Sequence, residues 1–245
     1  KRQLHGSKHY RQQGWIHQDD KVSEIGPHTY ADANFAGCPR TLRSTSGGQL
    51  HLEGPRSRFP IAARSVRQPC VSYSTPEAEI ISLNLSLRTM ALPAIDMCDV
   101  LLPRGYPNIF HEDNRACCLV IETGKNPTMR YLGRVHGIAI RMLHEQLSTI
   151  SDCKSNNIVV KMTNTTKMAA DIHTKGFANA EKWLHAIKLI CVFDPKSFVE
   201  VLELHRKELF PRIDEAVTGM EKNKNNDLQD MKAVTGHSMH SMKEK

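Results

Sequence analysis

Four stretches far apart in the chain each set an acid against an apolar or small-residue segment. They are residues 29–37 (Thr-Tyr-Ala-Asp-Ala-Asn-Phe-Ala-Gly), 74–79 (Ser-Thr-Pro-Glu-Ala-Glu), 111–114 (His-Glu-Asp-Asn) and 168–175 (Met-Ala-Ala-Asp-Ile-His-Thr-Lys). In the first, an apolar approach delivers Asp32, after which small residues and Gly37 turn the backbone away. One such acid is unremarkable in a fold, because Asp is favoured wherever a turn lets it bond its own backbone. Four of them restrict the architecture. Their carboxylates can meet only if each ends a strand or opens a helix of one mixed sheet. In this reading Asp32 ends the first strand, Glu79 lies one turn into the first helix, Asp113 ends the fourth strand, and Asp171 opens a late helix.

The intervening sequence supplies those elements. Residues 26–30 read as a strand leading to Asp32, and residues 41–48 as a turn by composition. Residues 49–53 alternate polar and apolar before Gly54-Pro55, and residues 59–66 give a third strand, so an antiparallel meander is expected. Thr75 as N-cap and Pro76 start a helix whose buried face is Ile80, Leu83, Leu87 and Met90. Leu92-Pro93 is expected to interrupt it, with a second helix over 94–102. A strand over 107–111, a helix over 116–123, an amphipathic helix over 131–147, a β-branched strand over 157–162 and helices from 166 and 180 complete the order. The expected fold is α/β: a mixed five-stranded sheet, its first three strands antiparallel, flanked by helices over residues 26–193. Residues 1–25 read as a linker or the remnant of an upstream region, and with no initiator Met the chain is taken as part of something longer. Residues 194–217 read as a helical extension, and the charged residues 218–245 as disordered.

Several function classes are disfavoured. No run of about 18 apolar residues is present, so no membrane partner is expected. There is no Walker loop, Gly-x-Gly-x-x-Gly, Gly-x-Ser-x-Gly or His-Glu-x-x-His. Seven scattered cysteines without a Cys-x-x-Cys pair fit reduced thiols in an intracellular protein. The net charge of +7 favours a polyanion. Between Cys38 and Cys70 stand Arg40, Arg43, Arg56, Arg58, Arg64 and Arg67 against Glu53 alone, and residues 124–141 carry Lys125, Arg130, Arg134 and Arg141 with no acid. Two acid-poor basic tracts bracketing acidic strand ends suggest a groove for phosphates. Clustered carboxylates beside such a groove suit Mg²⁺, a hard ion commonly held by carboxylates together with substrate phosphate.

Five ordered blocks then carry a resemblance: residues 30–37, 43–47 (Arg-Ser-Thr-Ser-Gly), 74–79, 112–114 and 170–175 (Ala-Asp-Ile-His-Thr-Lys). They resemble the ribonuclease H domain at the end of copia-type retrotransposon Pol polyproteins. That family reads roughly Tyr-Ser-Asp-Ala-Asp-Trp-Ala-Gly, Arg-Ser-Thr-Ser-Gly, Ser-Thr-x-Glu-Ala-Glu, Asp-Asn and Ala-Asp-Ile-Phe-Thr-Lys. The resemblance implies a ribonuclease H-like fold, with Asp32, Glu79, Asp113 and Asp171 as catalytic metal ligands for two Mg²⁺ ions, or Mn²⁺ in their place. Glu77 competes with Glu79 for the second position. Its place in the first helical turn is favourable through the helix dipole alone, and the family pattern selects Glu79. The resemblance further implies cleavage of the RNA strand of an RNA–DNA hybrid and an upstream reverse transcriptase domain as partner. It places the protein in the cytoplasm, within a retrotransposon particle, or in the nucleus. Expected nucleic-acid contacts are Arg43, Ser44, Arg64, Arg67, Asn114, Lys125, Arg130 and Arg134, with His136 as an auxiliary group. The chain departs from the family at Asn34, Phe35, Gly48, Gly176 and residues 163–166 (Thr-Asn-Thr-Thr). The alternative reading is a catalytically inactive nucleic-acid-binding remnant of such a polyprotein.

Overall fold

A computed structural model describes residues 10–103, 105–126, 129–148 and 158–194, with Glu203 beyond them. The helical extension expected over 194–217 and the tail over 218–245 fall outside this region apart from Asp194 and Glu203. The strands are β1 (Arg11–Gln12), β2 (Gly26–Asn34), β3 (Thr45–Glu53), β4 (Arg58–Arg67), β5 (Ile109–Glu112), β6 (Leu147–Ser148), β7 (Ile158–Met162) and β8 (Val192–Phe193). The α-helices are α1 (Thr75–Ser86), α2 (Leu92–Leu101), α3 (Arg115–Thr123), α4 (Leu132–Val135), α5 (Ile140–Gln146), α6 (Asp171–Thr174) and α7 (Ala180–Leu189). The main sheet runs β4-β3-β2-β5-β7-β6. Neighbours β4, β3 and β2 are antiparallel, while β5 joins β2, and β7 joins β5, in parallel. The α/β class and the five-stranded mixed sheet with its antiparallel beginning are therefore as expected. The two-residue β6 adds a sixth, parallel edge strand that its length hides in the sequence.

Alternation along β2 divides the chain's chemistry between two faces, since successive side chains of a strand point to opposite sides. Ala31 enters the main core with Ile80, Leu83, Leu87, Phe110, Ile121 and Leu143. Tyr30 packs instead against Met168, Ala169 and Ala170 on the opposite face. Asp32 follows Tyr30 by two residues and so shares its face, the one covered by the chain leading into α6.

Several boundaries differ from the sequence reading, each for a local reason. Strand β3 begins at Thr45, inside the stretch read as a turn, because its Ser/Gly composition is overridden by pairing on both sides. Ser74, not Thr75, caps α1 by accepting from the Glu77 amide at 3.3 Å. Helix α1 does not stop at Pro93 but passes through a π turn at Leu87–Ala91 into α2. The wider turn and Pro93's place in the first turn of α2 avoid the clash that proline brings to a helix interior. The expected helix over 131–147 is two short helices, broken at Gly137 with φ of 65°. The domain also begins before residue 26. Strand β1 pairs with β8, and Trp15 forms a bridge with Arg58 and donates to the Arg56 carbonyl at 2.7 Å. Residues 10–25 thus belong to the fold and not to a linker.

The α6 segment seats on β3 at Gly47. A Cβ there would lie 2.5 Å from Thr174 Cγ2, 3.0 Å from the Ala170 carbonyl and 3.1 Å from His173 Cβ. Only a hydrogen fits. Gly47→Ala is therefore expected to destabilise the fold by about 1–3 kcal/mol through overpacking, read as a lower midpoint in urea. An unchanged midpoint would mean that the 170–175 segment does not rest on β3.

Candidate metal centre

The parallel register of β2 and β5 sets Tyr30 beside His111, so that Asp32 and Asp113, two residues further along each chain, arrive at the same end of the sheet. Helix α6 opens over that end with Asp171 at its first position. One carboxylate oxygen from each of Asp32, Asp113 and Asp171 lies within 4.8 Å of the other two. At that spacing two unit charges repel by roughly 3–4 kcal/mol at an effective dielectric constant of about 20. Asp32 is 1% exposed, which removes most of water's help in relieving the repulsion.

Helix α1 brings Glu79 to the same region. Ser82, one turn later, donates to the Asp32 carbonyl at 2.7 Å and fixes the helix against β2. Burial, then the charges of Glu112, Asp32 and Asp113, push the Glu79 carboxyl up to about 10. Burial followed by Asp32 raises Asp113, and burial is the main cause that lifts Asp171 to about 6. Glu112 was not among the expected site residues. It is wholly buried and raised well above the carboxylate range, chiefly by burial. Its Oε1 accepts from the Asn114 amide at 3.0 Å, and the Cys117 thiol lies beside the same carboxylate. An all-carboxylate donor set fits a hard divalent cation.

Two further residues enter the site from the turn after Asp171. Lys175 Nζ lies 2.7 Å from Asp171 Oδ1 and 3.2 Å from Asp32 Oδ1. Thr174 Oγ1 donates to Asp32 Oδ2. The sequence signal for Lys175 was its i+4 spacing from Asp171, which sets both on one helical face. Glu77 is occupied elsewhere: Tyr73 N and Tyr131 Oη donate to its Oε2 at 2.8 Å each, and His136 Nε2 lies 3.0 Å from its Oε1.

The expected nucleic-acid contacts divide in two. Arg43, Arg64, Arg67, Lys125, Arg130 and Arg134 are exposed. Arg67 lines a cleft of about 420 Å³ with Arg88, Asn84 and Thr89. Ser44 is corrected: it is buried and accepts from the Ala36 amide at 3.1 Å, which spends it on the turn after β2. Asn114 uses its side-chain oxygen to cap α3 at Cys117 N, 3.1 Å away. The His136 side chain is 2% exposed and tied to Glu77, which places it in a packing role.

Further along the Tyr30 face lies a second polar cluster. Tyr30 Oη donates to Glu53 at 3.0 Å, Arg58 Nε lies 3.3 Å from the same carboxylate, and Tyr30 stacks on His111 with ring centroids 4.0 Å apart. Burial alone would raise Glu53, but Arg58, His28 and His51 outweigh it and hold the acid well below its usual range. Burial lowers His28, His51 and His111, the second to about 4.

Comparison with protein-family models, with curated proteins and with solved structures gives no match.

The raised acids make stability fall with pH when no divalent ion is present. A carboxyl protonated in the folded chain but ionised when unfolded holds more protons folded, so stability is lost as pH rises towards its folded value. The lowered histidines act oppositely only below about 6.5, and Cys38, lowered to about 7 by its hydrogen bond with Thr41, opposes the decline by at most one group's share within the window. Between pH 7 and 8.5 in chelator the free energy of unfolding should therefore decline, by at most about 1.4 kcal/mol per pH unit for each such group, and the melting temperature with it. Glu79→Gln should make the decline shallower, and Mg²⁺ should flatten it. A melting temperature that rises over this window in chelator would contradict the assignment.

Proposed function

We propose that this chain is a ribonuclease H-like phosphodiester hydrolase that cuts the RNA strand of RNA–DNA hybrids, as part of a retrotransposon Pol polyprotein. The observation that carries the reading is the meeting of Asp32, Asp113 and Asp171 within 4.8 Å. Buried Glu79 beside them supports it, as does a sheet whose first strand lies between an antiparallel and a parallel neighbour.

Asp32, Asp113, Asp171 and Glu79 would hold two Mg²⁺ or Mn²⁺ ions. When bound, such a pair activates a water and stabilises the leaving oxygen of a phosphodiester. The chain's own residues supply position and charge. Strands β2 and β5 present Asp32 and Asp113 from rigid backbone, and Ser82 locks the helix that carries Glu79. Exposed Arg43, Arg64 and Arg67 on one side, and Lys125, Arg130 and Arg134 elsewhere on the surface, would take backbone phosphates. Selection of RNA would rest on the 2′-hydroxyl and groove shape.

Asp113→Asn is expected to abolish cleavage of a labelled hybrid in Mg²⁺ while leaving binding in Ca²⁺ nearly unchanged. Asn keeps the size and one ligand oxygen but removes a charge that the ions need, and charge stabilisation acts on the transition state. Wild-type protein that binds the hybrid yet leaves it whole at every Mg²⁺ and Mn²⁺ level would favour the binding remnant instead. Hybrid affinity should also fall steeply with salt. Replacing Arg64 and Arg67 together by Ala should reduce the slope of log K against log salt by roughly 1–2; an unchanged slope moves the phosphate path elsewhere.

A further inference from the structure

Lys175 occupies a position that the proposed metal reading does not assign. Its ammonium bridges Asp32 and Asp171, two of the three clustered acids, at 3.2 and 2.7 Å. The Lys175 side chain is 36% exposed and reaches the acids from the solvent side, whereas the Asp32 and Asp171 side chains are 2% and 14% exposed. The segment that carries it is held from several directions. Asn34 Nδ2 donates to the Thr174 carbonyl at 3.1 Å, Ser65 Oγ donates to the His173 carbonyl at 2.6 Å, and His173 Nε2 lies 2.8 Å from Gln49 Oε1. The backbone is thus held in place, while the ammonium is tied to the two acids at the end of a flexible four-carbon stem.

We infer that Lys175 is an internal competing cation: it neutralises the carboxylate cluster when no divalent ion is bound, and it must leave Asp32 and Asp171 for one to enter. This rests on the metal reading above. An ion held by Asp32 and Asp171 would sit against the same two carboxylates that Lys175 contacts, and like charges at such short range repel one another strongly. Two consequences follow. The free protein binds divalent ions more weakly than its donor set alone would give. The displaced ammonium, beside the site and facing solvent, gains a partner when a phosphodiester arrives, so nucleic acid and metal strengthen each other's binding. That coupling is reciprocal by linkage.

The test is a Mn²⁺ titration of the full chain, reading free Mn²⁺ by electron paramagnetic resonance, with wild type, Lys175→Met, Lys175→Gln and Asp113→Asn. Melting temperatures in chelator and in Mn²⁺ are taken alongside. Lys175→Met and Lys175→Gln should each bind Mn²⁺ at least tenfold more tightly than wild type. They should also melt lower in chelator and gain more from added Mn²⁺. Equal or weaker Mn²⁺ affinity in both variants, with Asp113→Asn weakening binding, would overturn the competing role and leave the metal site standing. Mn²⁺ binding insensitive to Asp113→Asn would overturn the metal reading and this inference together.

Discussion

Mutual repulsion among clustered carboxylates, Asp32 buried and Asp113 and Asp171 half-buried, is the constraint on which the rest of this structure turns. Asp32, Asp113 and Asp171 meet within 4.8 Å, with Glu79 and Glu112 close enough to feel them. No packing preference gathers acids in this way, because an unpaired buried charge is among the costliest features a fold can carry. Protonation of Glu79 and Glu112 relieves part of the cost, and Lys175 relieves another part. What remains is held by the rigid elements on either side. The β2–β5 ladder fixes Asp32 relative to Asp113, and the closeness of Gly47 to Thr174 and Ala170 fixes the segment that bears Asp171.

The two faces of β2 divide the labour. Ala31 faces the apolar core with Phe110 and the α1 residues Ile80 and Leu83, and this face supplies stability through burial. The other face carries Tyr30 and Asp32 and is polar along much of its length. In its far part Arg58, His28 and His51 outweigh burial and hold Glu53 well below the usual carboxylate range. Its near part is the cluster of Asp32, Asp113 and Asp171. One strand face therefore holds two charged clusters of different balance. The difference lies in the presence of Arg58 in the first and the excess of acids in the second.

Much of this was open to reading from the sequence because period and punctuation agree with the final contacts. The β-branched run of β7, the apolar stripe of α1 and the Asn114 start of α3 all sit where local chemistry puts them. The failures have a common cause: long-range pairing overrode local composition. Ser46, Gly47 and Gly48 look like a turn and became strand because β2 and β4 flank them. Residues 10–25 lack any lasting period, yet β8 gives Arg11 and Gln12 strand partners at Phe193 and Val192. At the site, the acids could be listed from their neighbours, but Glu112 could not. Its adjacency to Asp113 gave no sign that its side chain turns inward. Ser44 looked like a phosphate contact by residue type and proved to be buried, accepting from the Ala36 amide. Fine geometry of that sort depends on which amides the fold leaves unpaired, a property no single stretch reveals.

The central claim is that the carboxylate cluster is a divalent-cation site. Diffraction from a crystal grown with Mn²⁺, recorded at the manganese absorption edge, tests it directly by anomalous scattering. The account predicts a peak bounded by Asp32, Asp113 and Asp171, with Lys175 moved away from both Asp32 and Asp171. A map with no peak there, and Lys175 still bridging those two acids, would contradict it.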